Sequence, residues 1–305
     1  MTALLSEAFY WFFNMSISAS VAGIIILLLG KLKKLPRRLV HILWVIPFLR
    51  MWIPVGIPSK YSLMTLISKF TTKAVVVYDG ALDFTVTNHL MAADSYFPIN
   101  YKVSLLDALF SVASIVWIGV AVAFLIVYAI LYAVAKSETK DAILLRDNIY
   151  VSDRITSPAA YGIFRPKIII PRGYELRDLR YILEHESAHI QRKDNFWRIL
   201  AVISASVHWF NPFIWLFLKK FLEVTELACD ERVLAGCVED EKKAYALALV
   251  DCTESRNAFA SAFGGAKLRV RIEHILSYRK LSAISIIGLT AFAIAIGYAL
   301  LTNAS

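Results

Sequence analysis

Residues 185–230 read HESAHIQRKDNFWRILAVISASVHWFNPFIWLFLKKFLEVTELACD, and the way this stretch folds decides the architecture of the chain. Its middle part, Ile199–Leu218, is an apolar run that by length alone could span a membrane. Pro212 lies inside the run and lacks the amide hydrogen that the interior of a helix needs. The sequence therefore predicts a helical hairpin that turns near His208–Pro212, with an apolar tip that could dip partway into the bilayer.

The two arms of this hairpin carry residues typical of a metal site. His185 and His189 are four residues apart, so on a helix both imidazoles face the same ion. His189 and Glu226 are equally far from the turn, so antiparallel arms would bring them level. The same holds for His185 and Asp230. We expect one zinc ion per chain, bound by His185, His189 and Glu226. If the run between them crossed the membrane, Glu226 would lie on the opposite side from the histidines and could not share the ion.

Glu186 and Asp230 complete the predicted chemistry. Glu186 lies between the two histidines, where HExxH helices carry the general base of a metallopeptidase. Three protein ligands leave one zinc position open for water, whose pKa the metal lowers to about 7. Asp230, one turn beyond Glu226, is expected to accept a hydrogen bond from a ligating histidine. The pattern predicts peptide hydrolysis in which Glu186 moves the proton of the water to the leaving amine.

Three other residues compete for roles at this site. Glu223 lies three residues before Glu226 on a similar helix face and is the alternative third ligand. Cys229 could bind zinc, but on a helix it points about 100° away from Asp230, which disfavours it. His208 could stabilise an oxyanion, although its position near the turn favours a structural role.

The composition indicates a membrane protein. The chain is 58% hydrophobic and 19% charged, whereas soluble domains are about 45–50% apolar and about 25% charged. The net charge of +9 is better explained by basic loops on the cytoplasmic side of a membrane than by direct binding of nucleic acid, for which no motif is present. The three cysteines fall in one segment without CxxC spacing, which argues against a disulfide framework.

Four apolar runs are expected to cross the membrane, at about residues 9–30, 39–58, 105–135 and 281–301. Basic residues beside these runs place residues 136–280 in the cytoplasm of a bacterial cell, and both termini and a loop at 59–103 outside. The second run is the weakest, because it contains three prolines and Arg50, whose side chain is expected to extend to the outer surface. No basic stretch precedes the first run, so a retained helix is expected.

These patterns together predict a mainly α membrane protein in three parts. Residues 1–135 form a membrane domain, 136–280 a cytoplasmic α+β domain of the zincin (gluzincin) type, and 281–305 the fourth membrane helix with a short external tail. Residues 148–152 and 167–170 are predicted to be strands, and the pattern is helical from Leu176 onward.

The chain resembles the bacterial β-lactam sensor-transducer family of membrane zinc peptidases. The resemblance rests on five segments: His185–Asp194, His208–Pro212 with Trp215, Glu226–Asp230, Tyr161–Pro171 and Leu268–Ile272. It implies a peptidase that signals across the membrane by cleaving itself or a DNA-binding repressor of antibiotic-resistance genes. Antibiotic-sensing members carry an external penicillin-binding domain after the fourth span. The given sequence stops at this point, so that either the chain is truncated or it is a member without a sensor domain and with a different input. The residues present do not support antibiotic sensing.

A segment rich in small residues, Asn257–Lys267, is the predicted site of self-cleavage. The bond between Ala262 and Phe263 is favoured because a bulky apolar side chain follows it, and the resemblance places self-cleavage in this part of the chain. A plain flexible linker is the alternative. An extended substrate could pair with an exposed strand edge, for which Ala159–Phe164 is the candidate.

Two other functions remain open from the sequence. The chain could be a catalytically silent membrane receptor or scaffold with a structural zinc site, or a housekeeping quality-control protease. Glu186 favours an active peptidase, because a structural zinc site needs no general base. The expected partners are membrane lipid and a protein substrate of the repressor type, and the sequence leaves a homodimer open.

Overall fold

The structure, a computed structural model, describes residues 2–32, 35–53, 59–62, 65, 105–173, 176–254, 267–279 and 282–302. These ranges contain nine helices and four strands. The helices are α1 (Thr2–Leu29), α2 (Arg37–Arg50), α3 (Leu105–Ser137), α4 (Leu176–Gln191), α5 (Asp194–Val207), α6 (Pro212–Gly236), α7 (Glu239–Glu254), α8 (Leu268–Ser277) and α9 (Ala283–Leu301). The strands are β1 (Ile143–Arg146), β2 (Ile149–Ser152), β3 (Ala159–Tyr161) and β4 (Lys167–Pro171). Most of the predicted external loop, and the bond between Ala262 and Phe263, lie outside the described residues.

Three helices in the described part of the chain are long and apolar enough to cross a membrane: Leu4–Leu29 in α1, Leu109–Ser137 in α3 and Ile284–Leu301 in α9. They coincide with the first, third and fourth predicted spans. The helix at the second predicted span, α2, has only 14 residues. At 1.5 Å per residue it is about 21 Å long, which is shorter than the roughly 30 Å of a bilayer core. The second crossing therefore stays a prediction.

Arg50, the last residue of α2, differs from its predicted position. Its side chain is buried, at 2% exposure, and does not extend to a surface. Its Nη1 donates a hydrogen bond of 2.9 Å to the carbonyl of Leu301, the last residue of α9. The final carbonyls of a helix have no partner within the helix, so the guanidinium caps α9. The prediction that the Arg50 side chain extends to the outer surface is wrong. Hydropathy along α2 does not reveal that the end of another helix lies within reach of this side chain.

The apolar run 199–218 is divided between α5 and α6, with the break at residues 208–211. Asn211 caps α6 by accepting a hydrogen bond of 2.9 Å from the amide of Phe213, and Pro212 takes the first helical position, where no amide hydrogen is needed. The Asn211 amide also donates to the hydroxyls of Ser16 and Ser20 on α1, at 2.7 Å each. The turn is thereby joined to the first membrane helix.

Helix α6 also packs directly on α1 at a glycine. A Cβ atom added to Gly23 of α1 would lie 2.2 Å from the ring of Phe217 on α6. Phe217 is fully buried and packs against Trp44 of α2, with the ring centroids 5.5 Å apart. The absence of a side chain at Gly23 therefore sets the distance between α1 and the helix that carries Glu226.

The strands form one sheet in the order β1-β2-β4-β3, in which β3 is an edge strand antiparallel to β4, and β2 is parallel to β4. Strands β2 and β4 lie where the sequence predicts strands. The three central isoleucines of β4 are buried, whereas β1 is exposed along its length. Strand β3 packs beside α4 and so brings a free sheet edge to the helix of the histidines.

The close contact at Gly23 gives a first prediction. We expect Gly23→Ala to destabilise the protein by about 1–3 kcal/mol, because the buried Phe217 ring has no room to move. Gly119→Ala is the matched control, since a Cβ at this α3 position meets nothing within 4 Å. Thermal unfolding in detergent measures the difference. Adding Phe217→Leu to Gly23→Ala should recover part of the loss, and equal stability of the two alanine variants would contradict the proposed packing.

Candidate metal centre

Helices α4 and α6 bring two histidines and a glutamate together. The Nε2 atoms of His185 and His189 on α4 are 3.2 Å apart. Glu226 on α6 places one carboxylate oxygen 3.5 Å from His185 Nε2 and the other 3.6 Å from His189 Nε2. A tetrahedral ion with bonds of about 2.0–2.2 Å separates its ligand atoms by roughly 3.3–3.6 Å. The three donors, all buried, therefore fit a tetrahedral ion such as zinc.

The outer nitrogen of each histidine faces a buried carboxylate. His185 Nδ1 lies 3.3 Å from Asp230 Oδ1 and 3.0 Å from the hydroxyl of Tyr245 on α7. His189 Nδ1 lies 2.7 Å from Asp194 Oδ2. Such partners fix the tautomer and the orientation of a ligating imidazole and raise its basicity. The contact of Asp230 was expected from the sequence, whereas that of Asp194 was not.

Asp194 reaches His189 because the helix is broken between them. On an uninterrupted helix a residue five positions later would point about 140° away. Lys193 adopts a left-handed conformation, with φ of 56°, so that α4 ends before it and α5 begins at Asp194. Arg192 holds the Asp194 carboxylate at 2.9 Å. Left-handed lysine is uncommon, and the sequence carries no glycine that would have signalled this turn.

Two arginines lie beside the ligand group. Arg271 of α8 donates to both oxygens of Asp230, at 2.9 and 2.6 Å, and its Nη1 lies 3.3 Å from Glu226. Arg198 of α5 donates to the other oxygen of Glu226 at 2.6 Å. Sequence reasoning missed both roles. Arg271 is 41 residues from Asp230, so its contact with this carboxylate depends on tertiary structure. It lies in the segment Leu268–Ile272, which is one of the segments that carry the family resemblance.

These charges set the protonation of the site. Burial raises the pKa of Glu226, but His189, His185 and Arg271 outweigh it and hold that pKa well below its usual range. Burial and Arg271 lower the pKa of His185, but hydrogen bonds to Asp230 and Glu226 outweigh them and raise it to about 9. Glu226 is thus available as an anionic ligand. A metal would have to displace a proton from His185, as is general for metal sites.

Of the competing residues, Glu223 lies outside the ligand group and Cys229 lies beside it. Glu223 accepts a hydrogen bond from Lys220 at 2.8 Å and is not part of the ligand group. Cys229 is closer to the site than expected, with Sγ 3.2 Å from His189 Nδ1. It forms a second possible ligand group with His189 and Asp194. Burial raises the pKa of the Cys229 thiol well above its usual value, which makes it a poor ligand in comparison with Glu226.

Glu186 is on the same helix as the two histidines, and its side chain contacts the sheet. Its Oε2 accepts a hydrogen bond of 2.8 Å from the amide of Ala160 in the edge strand β3. The side-chain amide of Asn195 donates to the carbonyls of Ala160 and Gly162, at 3.0 Å each. A cavity of about 700 Å³ adjoins this edge, lined by residues of α3, β3, α5 and α6, including Glu226. A substrate-sized space therefore reaches a metal-ligand candidate.

The apolar helices and the buried histidine–carboxylate group are those of a membrane protein with a candidate metal site. Residues 10–276 match the family described as BlaR1 peptidase M56, and the chain belongs to this family.

The curated relatives include two regulatory proteins and a methicillin resistance protein. The regulatory protein BlaR1 of Bacillus licheniformis is 27% identical over 127 residues, which are 41% of this chain and 21% of the relative. BlaR1 of Staphylococcus aureus is 24% identical over 191 residues, which are 53% of this chain and 32% of the relative. The methicillin resistance mecR1 protein of Staphylococcus aureus strain Mu50 is 25% identical over 109 residues, which are 34% of this chain and 19% of the relative. The matched stretches thus span at most about a third of these relatives.

The ligand geometry predicts that Glu226→Ala loses bound zinc, whereas Glu223→Ala retains it. The reason is that, of these two residues, Glu226 is the one whose carboxylate lies within reach of both histidines. Zinc content of the purified variants, measured by elemental analysis, provides the comparison. Loss of metal from Glu223→Ala alone would overturn the ligand assignment.

We further expect Asp194→Asn to weaken zinc affinity about tenfold or more, because an amide orients His189 less strongly than a carboxylate does. Competition with a chromogenic chelator measures the affinity. Asp153→Asn is the control, since Asp153 is 60% exposed and pairs with Arg172 on the surface. Equal zinc affinity in the two variants would show that Asp194 does not support the metal site.

Proposed function

We propose that this protein is a zinc-dependent metalloendopeptidase of the membrane, and that it transmits a signal by cleaving itself or a cytoplasmic protein. The observation that carries the proposal is the position of Glu186. Its buried carboxylate lies on the ligand-bearing helix and also contacts the edge of the sheet, where an extended peptide could bind. A general base has to be placed between the metal and the substrate in this way.

His185, His189 and Glu226 would hold the ion. Bound zinc would act as a Lewis acid that acidifies water and polarises the scissile carbonyl. Glu186 would accept a proton as the water oxygen bonds to the carbonyl carbon. It would then transfer this proton to the amine nitrogen as the C–N bond breaks, which leaves one carboxylate and one amine product. Asp194 and Asp230 would keep the two imidazoles oriented throughout.

The edge of β3 is the proposed binding site for the substrate backbone. Its outward groups at Ala160 and Gly162 contact Glu186 and Asn195, so a substrate strand would exchange its own hydrogen bonds for some of these. An extended protein segment fits an edge strand, whereas a helix does not. The mainly apolar lining of the cavity next to β3 favours a bulky apolar side chain beside the cleaved bond.

The regulatory part of the proposal comes from relatives. These relatives are named as regulatory and methicillin-resistance proteins, and this chain is similar to them over 127 and 109 residues while belonging to the BlaR1 peptidase M56 family. We propose a repressor-type protein as the substrate and membrane lipid as the surroundings of α1, α3 and α9. The proposed topology is that of a multi-pass protein of the bacterial cell membrane, with both termini outside and residues 136–280 in the cytoplasm.

A silent scaffold with a structural zinc site is the main alternative. Structural zinc sites are almost always closed by four protein ligands. The group of His185, His189 and Glu226 offers three donors among the described residues, with Glu186 and a cavity nearby. This arrangement supports an open metal position and therefore catalysis.

Glu186→Gln tests the function. We expect this variant to keep its zinc and to lose peptidase activity, because the base is removed while the ligands remain. The readout is mass spectrometry of purified full-length protein, in which fragments ending within residues 257–267 should appear only when Glu186 is intact. Glu184→Gln is the control, since this exposed residue of the same helix pairs with Arg180. Equal fragments in the Glu186→Gln and unmodified chains would point to another protease.

A further inference from the structure

Negative charge develops on the carbonyl oxygen during peptide hydrolysis, and a hydrogen-bond donor aimed at this oxygen stabilises it in addition to any metal. His208, the candidate from the sequence, does not fit this role. It lies after the end of α5, is fully buried, and packs against the ring of Phe12 with centroids 5.5 Å apart. It is ten residues beyond Arg198, which corresponds to roughly 15 Å along a helix.

Three other donors lie close to the ligand group, and two of them are fully engaged. Arg271 is 2% exposed and makes paired hydrogen bonds with Asp230. The hydroxyl of Tyr245, 1% exposed, donates to the same carboxylate at 2.6 Å. These side chains orient His185 through Asp230 and have no access to a substrate.

Arg198 differs from both in exposure and in partners. About a third of its side chain is exposed, and within the described part of the chain its hydrogen bonds go to Glu226 alone. It lines the cavity that adjoins the edge strand, and it is the one cation among the described residues of that lining. Because the lining is mainly apolar, the field of this charge is screened less than it would be in water.

Arg198 lies beside the path that the substrate is expected to take. Its Nη2 is 2.6 Å from the Glu226 oxygen that lies 3.6 Å from His189 Nε2. The guanidinium is therefore beside the ligand group, on the side that opens to the cavity and to β3. A peptide bound along β3 with its side chain in the cavity would have its reacting carbonyl next to this group.

We propose that Arg198 is a catalytic residue that donates a hydrogen bond to the scissile carbonyl oxygen and to the oxyanion formed from it. Glu226 holds the guanidinium in place through Nη2. The Nε atom is buried, so the exposed third of the side chain is the part that would meet the substrate. The assignment rests on the proposed peptidase function. It adds a second electrophile, supplied by the protein, to the one that a metal would supply.

The test uses binding of a transition-state mimic by the purified, zinc-loaded full chain. The probe is N-phosphoryl-leucine amide, whose tetrahedral anionic group resembles the oxyanion, and leucine amide is the comparison without that group. Isothermal titration should show that Arg198→Ala binds the phosphoryl probe about 100-fold more weakly, with little change for leucine amide. Arg198→Lys keeps the charge and should recover most of the affinity. Arg180→Ala is the control, because this arginine is 64% exposed on α4 and lies outside the cavity.

The outcomes separate this assignment from the proposed function. Equal binding of the phosphoryl probe by Arg198→Ala and the unmodified chain would overturn the role of Arg198 alone. Loss of zinc from both Arg198 variants would also overturn it, since Arg198 would then only position Glu226. Tyr161 of β3 also lines the cavity and carries a hydroxyl donor. A loss of binding in Tyr161→Phe but not in Arg198→Ala would therefore assign the oxyanion to this tyrosine. Failure of the unmodified zinc-loaded chain to bind the phosphoryl probe would overturn the peptidase proposal together with this assignment.

Discussion

The buried ion pair between Arg271 and Asp230 is the interaction on which the site depends. Both side chains are almost fully inaccessible, at 3% and 0% exposure, and they are joined by two short hydrogen bonds. Removing one partner of such a pair costs about 3–5 kcal/mol, because the other charge stays buried and unpaired. Asp230 also contacts His185 and Tyr245, so helices α4, α6, α7 and α8 meet at this one carboxylate. The geometry of the first histidine is therefore coupled to the docking of α8.

The membrane part and the site are also physically continuous. Glu231, next to Asp230 on α6, accepts hydrogen bonds from the amides of Arg37 and Arg38 and so caps the first turn of α2. His41, which is also on α2, lies 3.6 Å from Asp194, the residue whose carboxylate contacts His189. A displacement of α2 would therefore reach both sides of the ligand group. This route consists of direct contacts, so α2 and the ligand group belong to one packed network.

The sequence predicts the ligand group because its signals are local. A spacing of four residues places two imidazoles on one helix face, and Pro212 fixes the break from which the opposite arm can be counted. The residues that sequence reasoning missed depend on features without local signals. Asp194 reaches its histidine through a left-handed lysine, and Arg271 arrives from a distant helix. The prediction for Arg50 was wrong for the same reason, since its partner is the end of a helix some 250 residues away.

The balance of charge explains how so many ionisable groups can be buried together. Three carboxylates, those of Asp194, Glu226 and Asp230, are each paired with an arginine: Arg192, Arg198 and Arg271 respectively. The desolvation penalty of each charge is thereby offset by a partner at hydrogen-bond distance. Since the three pairs cancel, Glu186, whose buried carboxylate accepts a hydrogen bond from the Ala160 amide, would offset only part of the charge of a bound divalent ion. The site would retain a positive field at the cavity, where the oxygen of a scissile carbonyl gains negative charge, and Arg198 is the side chain that extends this field toward the substrate.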